Sequence, residues 1–298
     1  MSDIVDLGKL EAPLLLFGGA YGNLQATEAV RAQARQRGLS AGQVICTGDV
    51  VAYCGAPAET VALVRDWGIP VVQGNVEEQI GGNAGDCGCG FEEGSACEVL
   101  SRSWYACCVA ALDEDAAHWM AGLPRAVRFE INGVRAAVVH GGLEQNNQFL
   151  FASEQDGEKT RQMAALGADL VIAGHSGIPY TQEVGDGLWH NAGVIGMPAN
   201  DGTPDVWYAI VEATEEGGLA LSHHRLAYDF PAAAADMRRN GFPEAYAEAL
   251  ETGLWPSLDI LPEAERRMTG IPLAPAGAVF QSPATKKCQV PSGPIPSL

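Results

Sequence analysis

The 298-residue sequence predicts a layered α/β domain. Three observations carry that prediction. Short apolar runs alternate with amphipathic stretches over the first two-thirds of the chain, and several runs end at a glycine beside a polar residue. With 47% apolar residues the chain can also bury a sizeable core. Strands separated by helices imply parallel pairing, and a parallel sheet needs helices to cover it.

Leu14–Phe17 is a four-residue apolar run closed by Gly18-Gly19, the pattern of a buried strand entering a tight loop. Leu24 to Arg37 places Leu24, Ala26, Ala29, Val30 and Ala34 at helical spacing and ends at Gly38. Gln43 to Thr47 reads as a second strand running into Gly48-Asp49, and Pro57 to Trp67 as a helix opened by proline. Pro70 to Gln73 reads as a third strand, running into Gly74-Asn75. Gly81 to Cys97 has no periodicity and is rich in Gly, Cys and acidic residues, so it reads as an inserted loop.

Glu98 to Leu112 and Asp113 to Gly122 follow as helices. Ala126 to Ile131 and Val134 to His140 flank Asn132-Gly133, a strong hairpin signal. Leu170 to Ala173 is a buried strand ending at Gly174-His175. Tyr180 to Val184, Leu188 to Asn191, Val206 to Glu212 and Leu219 to Leu226 read as further strands. Pro231 to Gly253 reads as a helix in two pieces broken near Gly241. We expect one domain over 1–255, with the insertion at 81–97, and a Pro-rich tail over 256–298 that is extended or disordered from Pro272. Two sheets with helices outside is the simplest architecture for this order.

The charge balance, 18 Lys plus Arg against 37 Asp plus Glu, gives −19 at pH 7. That argues against a nucleic-acid surface or docking on anionic lipid, both of which draw on clustered cations. No apolar run approaches the roughly 18–20 residues of a membrane span, and the first residues lack a basic-then-apolar leader. The expectation is a cytoplasmic protein. An acidic protein that handles an anionic substrate needs a cation between the two, which directs attention to metal ligands.

Four of the strand-end loops place an oxygen or imidazole ligand beside glycine: Gly48-Asp49, Gly74-Asn75, His140-Gly141 and Gly174-His175. Loops at the carboxyl ends of parallel strands are where α/β folds collect their chemistry. One Asp, one Asn and two His form a mixed O/N set suited to Mn, Fe or Zn rather than Ca.

Each dipeptide is common, but the ordered series resembles the calcineurin-like metallophosphoesterases. Their pattern runs Asp-x-His, Gly-Asp, Gly-Asn-His-Asp/Glu, His, then Gly-His-x-His. Gly22-Asn23-Leu24-Gln25-Ala26 and Asn191-Ala192-Gly193-Val194 resemble the segments that follow the first and last motifs. The resemblance spans about Leu14 to Glu212. It implies a four-layer αββα sandwich of two mixed sheets and hydrolysis of a small phosphomonoester, phosphodiester or nucleotide.

The same resemblance assigns Asp49, Asn75, His140 and His175 to one metal, with Asp49, Asn75 and His175 also catalytic. The departures fall elsewhere. Gly19 and Tyr21 stand where the family has its first Asp and His, Gly177 replaces the second His of Gly-His-x-His, and Val76 replaces the histidine after Asn75. The losses strike the first metal site and spare the second, so we expect one divalent ion (Mn, Fe, Zn or Ni) rather than two. Glu77 matches an acid that orients ligands. Tyr21, Asn23, His190 and Asn191 are candidates for substrate or supporting contacts, although a satisfied strand-end histidine is the simpler reading of His190.

Eight cysteines are present. Cys54, Cys87, Cys89 and Cys97 fall near the Gly-Asp and Gly-Asn loops and are candidates for an extra thiol site, though Cys-x-Cys departs from zinc-knuckle spacing. Inert or disulfide-forming thiols are the simpler reading. Three functions remain open at this level: an atypical phosphoesterase, a non-catalytic binder of a phosphorylated ligand or metal, and a thiol-centred protein on the same scaffold.

Overall fold

The computed structural model describes residues 4–281. Its strands are β1 (Ile4–Leu10), β2 (Leu14–Phe17), β3 (Val44–Cys46), β4 (Ala126–Ile131), β5 (Val134–Val139), β6 (Leu170–Ala173), β7 (Tyr180–Val184), β8 (Gly187–Asn191), β9 (Val206–Ala213), β10 (Leu219–Leu226) and β11 (Ala278–Phe280). Its helices are α1 (Leu24–Gln36), α2 (Pro57–Trp67), α3 (Asn75–Gly81), α4 (Ala96–Ala111), α5 (Glu114–Ala121), α6 (Gly157–Leu166), α7 (Phe230–Arg239), α8 (Glu244–Thr252) and α9 (Glu263–Arg267).

Two mixed sheets face each other. One runs β1-β4-β5-β6-β8-β7, the other β11-β10-β9-β2-β3. Within them β5, β6 and β8 pair in parallel, as do β2 and β3, while the Asn132-Gly133 hairpin joins β4 to β5 antiparallel. Strand alternation sorts the core into layers. Leu14 and Leu16 point between the sheets, where they meet Ile45, Val138, Ile172 and Val211. Leu15 and Phe17 point the other way, into a core built with Val30 of α1, Val64 of α2 and Met237 of α7. On the far side Met163 and Leu166 of α6 cover Val139, Val171 and Trp189. The order helix, sheet, sheet, helix is the αββα arrangement the sequence predicts.

Local signals explain most boundaries. The Asn23 carboxamide caps α1 by accepting the Ala26 N–H at 3.1 Å, Pro57 opens α2, and Gly68 ends it in the left-handed conformation. Gly241, at φ 75°, separates α7 from α8.

Several segments differ from expectation, among them β1 and α6, which no sequence signal marks. Pro70–Gln73 is reduced to a single parallel bridge between Val71 and Cys46, because Pro70 has no N–H to donate and Gln73 turns away to bond Pro124 O at 2.8 Å. The chain then enters α3 directly at Asn75. Residues 256–281, expected to be tail, carry α9 and β11, and β11 adds antiparallel to β10. The remainder of that expected tail, 282–298, lies outside the described residues. No helix among the described residues is long and apolar enough to cross a membrane.

Candidate metal centre

The four ligand-bearing loops come from both sheets. Asp49 follows β3 by three residues and His140 directly follows β5; His175 lies two residues past β6, and Asn75 is the first residue of α3. The Asp49 loop is zipped to the loop after β2, with Gly19 N–H donating to Gly48 O and Tyr21 N–H to Asp49 O, both at 3.0 Å. Asp49, His175 and Tyr21 all have φ between 53° and 58°. Three non-glycine residues in the left-handed region around one point mark a backbone bent to aim side chains.

Those side chains converge. His140 Nε2 lies 3.2 Å from Asp49 Oδ2, 3.1 Å from Asn75 Oδ1 and 3.0 Å from His175 Nδ1. His140 Nδ1 is 2.8 Å from Thr47 O, so it carries the hydrogen and turns the Nε2 lone pair inward. Asn75 Nδ2 donates to Cys87 O at 2.9 Å and meets Cys89 Sγ at 3.4 Å, which fixes Oδ1 toward His140. Four lone-pair atoms therefore face one another. Ligands bound at about 2.1 Å and 90–109° to one ion sit about 3.0–3.4 Å apart, and the three contacts to His140 Nε2 have that spacing, which makes this donor set a candidate for a divalent transition metal. Asp49, His140 and His175 are the one such group of three among the described residues, with ligand atoms within 4.8 Å of one another.

The electrostatics are those of a buried charge cluster. Burial alone raises the Asp49 carboxyl, but the His140 and His175 rings beside it hold it below its ordinary value. His140 is pulled down by burial, yet the Asp49 charge and its hydrogen bonds carry it above the ordinary imidazole range. Burial, with help from the His140 charge, drops His175 to about 3, so it is a neutral lone-pair donor at neutral pH. Burial and the Asp49 charge push Glu77 up to about 7.

Supporting residues fall into two groups. Glu77 holds the Asp49 loop: its carboxylate accepts the N–H groups of Asp49 (2.8 Å), Val50 (2.7 Å) and Gly74 (2.8 Å). Asn191 holds the His175 turn, donating to Gly174 O and Ser176 Oγ, both at 2.8 Å. Asn23 acts one step further out, capping α1 and donating to Gly196 O at 3.1 Å. His190 is a correction. Strand alternation points it between the sheets, where it stacks on His223 (centroids 4.4 Å) and bonds Thr181 Oγ1 at 2.8 Å, and it does not line the cavity beside the donors.

The thiols are split. Cys89 and Cys97 line that cavity, Cys87 supplies the carbonyl that orients Asn75, and Cys54 turns its sulfur to Gly196 O at 3.3 Å. No three of them gather into a metal-binding group among the described residues, so the candidate extra thiol site is not assembled there. The seven described cysteines are free.

At two of the departures an aromatic ring stands in the space a side chain would need. A Cβ on Gly19 would lie 2.5 Å from Tyr21 Cζ, and one on Gly177 would lie 3.3 Å from the Trp255 ring. Tyr21 and Trp255 belong to a cavity that opens on Asp49 and His175 and is also lined by Tyr53, Phe149 and Tyr246. Phe149 packs against His175 with centroids 4.2 Å apart. Sequence reasoning missed Trp255, Tyr246, Tyr53 and Phe149. None sits in a motif, and Trp255 lies at the edge of the segment read as tail.

Two mixed sheets between helix layers, with O and N donors converging at strand ends, define an α/β sandwich with a candidate metal site. Residues 21–216 match the calcineurin-like phosphoesterase superfamily domain, and the chain belongs to that family. An uncharacterized protein of Methanocaldococcus jannaschii is 25% identical over 262 residues, 82% of this chain and 99% of that protein. Among solved structures, a metallophosphoesterase from Sphaerobacter thermophilus superposes with a TM-score of 0.62 at 23% identity, over 82% of this chain and all of that one. A hypothetical protein from Pyrococcus horikoshii OT3 reaches a TM-score of 0.68 at 15% identity, over 83% of this chain and all of that one. These likenesses establish the fold.

Proposed function

We propose that the chain is a cytoplasmic metal-dependent phosphoesterase that hydrolyses a small phosphomonoester, phosphodiester or nucleotide. It would use one divalent ion (Mn, Fe, Zn or Ni) held by Asp49, Asn75, His140 and His175. The observation that carries this reading is the convergence of Asp49 Oδ2, Asn75 Oδ1 and His175 Nδ1 on His140 Nε2 at 3.0–3.2 Å. When bound, the ion polarises a phosphoryl oxygen and lowers the pKa of water at the site.

The protein's part is to hold and to orient. Thr47 O and the Asn75 amide partners fix two donors in the rotamers the ion needs, and Glu77 and Asn191 brace the loops that carry the other two. The Tyr21 hydroxyl, without a hydrogen-bond partner among the described residues, lines the cavity beside Asp49 and is placed to donate to a phosphoryl oxygen. Burial holds it protonated. In the reaction a water oxygen bonds to phosphorus, the ester P–O bond breaks, and the departing alkoxide takes a proton. Val76 offers no acid for that proton, so good leaving groups are favoured.

The test is metal analysis of the purified protein together with hydrolysis of p-nitrophenyl phosphate and bis-p-nitrophenyl phosphate. Stoichiometric metal and turnover abolished by Asp49→Asn are expected. Absence of bound metal, or metal content unchanged by His140→Ala, overturns the reading.

A further inference from the structure

We propose that the cavity beside the donor cluster is a binding site for an aryl group, so that the substrate class is an aryl phosphoester. The proposal deepens the metallophosphoesterase reading and rests on it. The cavity is walled by the rings of Tyr21, Tyr53, Phe91, Phe149, Tyr246 and Trp255 and opens on Asp49 and His175. A group bonded to a phosphoryl oxygen at the donor cluster therefore has these rings as its surroundings.

The chemistry of the wall selects what it takes. No Lys or Arg lines it, so affinity there comes from burying apolar surface and from ring contacts, not from charge pairing. Ser176 Oγ, one of the few polar atoms available, is already committed to Leu150 O and Asn191 Nδ2. Besides Asp49 and His175, the hydroxyls of Tyr21, Tyr53, Tyr246 and Ser257 are what a sugar, polyol or nucleobase edge would meet, and the rings between them would leave most of its polar atoms without partners. A plain aromatic ring loses nothing and gains edge and face contacts.

The wall is also preorganised. Trp255 is pinned at both ends, its N–H donating to Asn200 Oδ1 at 2.9 Å and its indole Nε1–H to Pro198 O at 2.6 Å. Tyr53 is locked edge-on against Tyr21 (4.8 Å) and packed on Tyr246 (4.7 Å). Fixing rings in advance lowers the ordering cost of binding. Tyr246 and Trp255 lie beyond the family-matched residues 21–216, so two of the six rings come from the chain's own C-terminal segment.

The test compares binding of benzylphosphonate and methylphosphonate to the metal-loaded protein by calorimetry, with tryptophan fluorescence as a second readout. Neither ligand is hydrolysed, so leaving-group effects do not enter. Benzylphosphonate is expected to bind about 10–100-fold tighter and to change the Trp255 emission. Trp255→Ala or, if that variant does not fold, Tyr246→Ala should erase most of the preference, while Trp255→Phe keeps it. Equal affinities overturn the aryl site and leave the metal reading standing. Adenosine 5′-monophosphate binding tighter than benzylphosphonate overturns it in favour of a nucleotide. Failure of both phosphonates to bind in the presence of metal overturns both readings.

Discussion

Replacing His140 with alanine separates what the cluster does without a metal from what it does with one. In the metal-free protein the Asp49 charge, 3.2 Å away, carries His140 above the ordinary imidazole range. Removing the ring leaves the Asp49 carboxylate, 4% exposed, with little beyond the Val76 N–H at 3.3 Å. Stripping one partner from a buried charge pair costs about 3–5 kcal/mol. For a chain of this size that is a fall in Tm of about 6–20 °C. With metal at about 100 times its Kd, wild type should gain about 2.7 kcal/mol. The variant, lacking one of four donors, should gain close to nothing at the same concentration.

The pH dependence has opposite signs in the two states. A group whose pKa is raised on folding contributes stability below its unfolded value, near 6.5, and that contribution is lost as pH rises through the raised folded value. The His140 contribution to metal-free stability therefore falls as pH rises above about 6.5, a change sampled by measurements at about pH 6 and about pH 8. Metal competes with the same proton for Nε2, so the metal-induced gain grows over the same interval. Thermal unfolding of wild type and His140→Ala, stripped and metal-loaded, at those two pH values reads all four quantities. A metal-induced rise in Tm as large in the variant as in wild type refutes the donor assignment. A wild-type rise that does not grow with pH refutes the proton competition.

Three further substitutions probe the supports. Glu77→Gln keeps the shape but can no longer accept from Asp49, Val50 and Gly74 with two anionic oxygens; metal affinity should drop about 10–100-fold, and an unchanged titration curve counts against its bracing role. Asn191→Ala frees Gly174 O and Ser176 Oγ and should cost about 1–3 kcal/mol in urea unfolding while also weakening metal binding, whereas loss of stability alone would show that the His175 turn stands without it. His190→Gln should leave metal content at the wild-type level, since the ring packs on His223 and bonds Thr181 between the sheets; metal loss in a folded variant would return it to the site.

Features encoded by neighbours in the chain were legible, and those created by distant contacts were not. Leu14–Phe17 is apolar at every position because both of its faces are covered, and Asn132-Gly133 makes its own turn with φ of 48° and 76°. The strand Ile4–Leu10 carries no such signature, because it is half exposed and exists by pairing with β4. Helix α6 hides its pattern by burying Lys159 and Gln162, the lysine satisfied by Phe151 O and Gln182 Oε1 at 2.6 Å each. Strand β11 is three residues long and is defined only by its partner β10.

The site divides along the same line. A ligand beside a glycine at a strand end is a two-residue signal, so Asp49, Asn75, His140 and His175 could be read directly. Their separation of 3.0–3.2 Å could not, since it depends on two sheets meeting through Thr47 O and His140 Nδ1. The missing ligands were read as losses, because a sequence shows an absent side chain but not what fills its space. At two of those positions the structure shows what stands there: the Tyr21 ring fills the space of a side chain at 19, and the Trp255 ring crowds position 177. Restoring a ligand by Gly177→His alone would thus set a new side chain against indole at φ 73°. The aromatic wall and the retained donor set meet at one cavity, and two of its rings stand against positions 19 and 177, where the first-site ligands would begin.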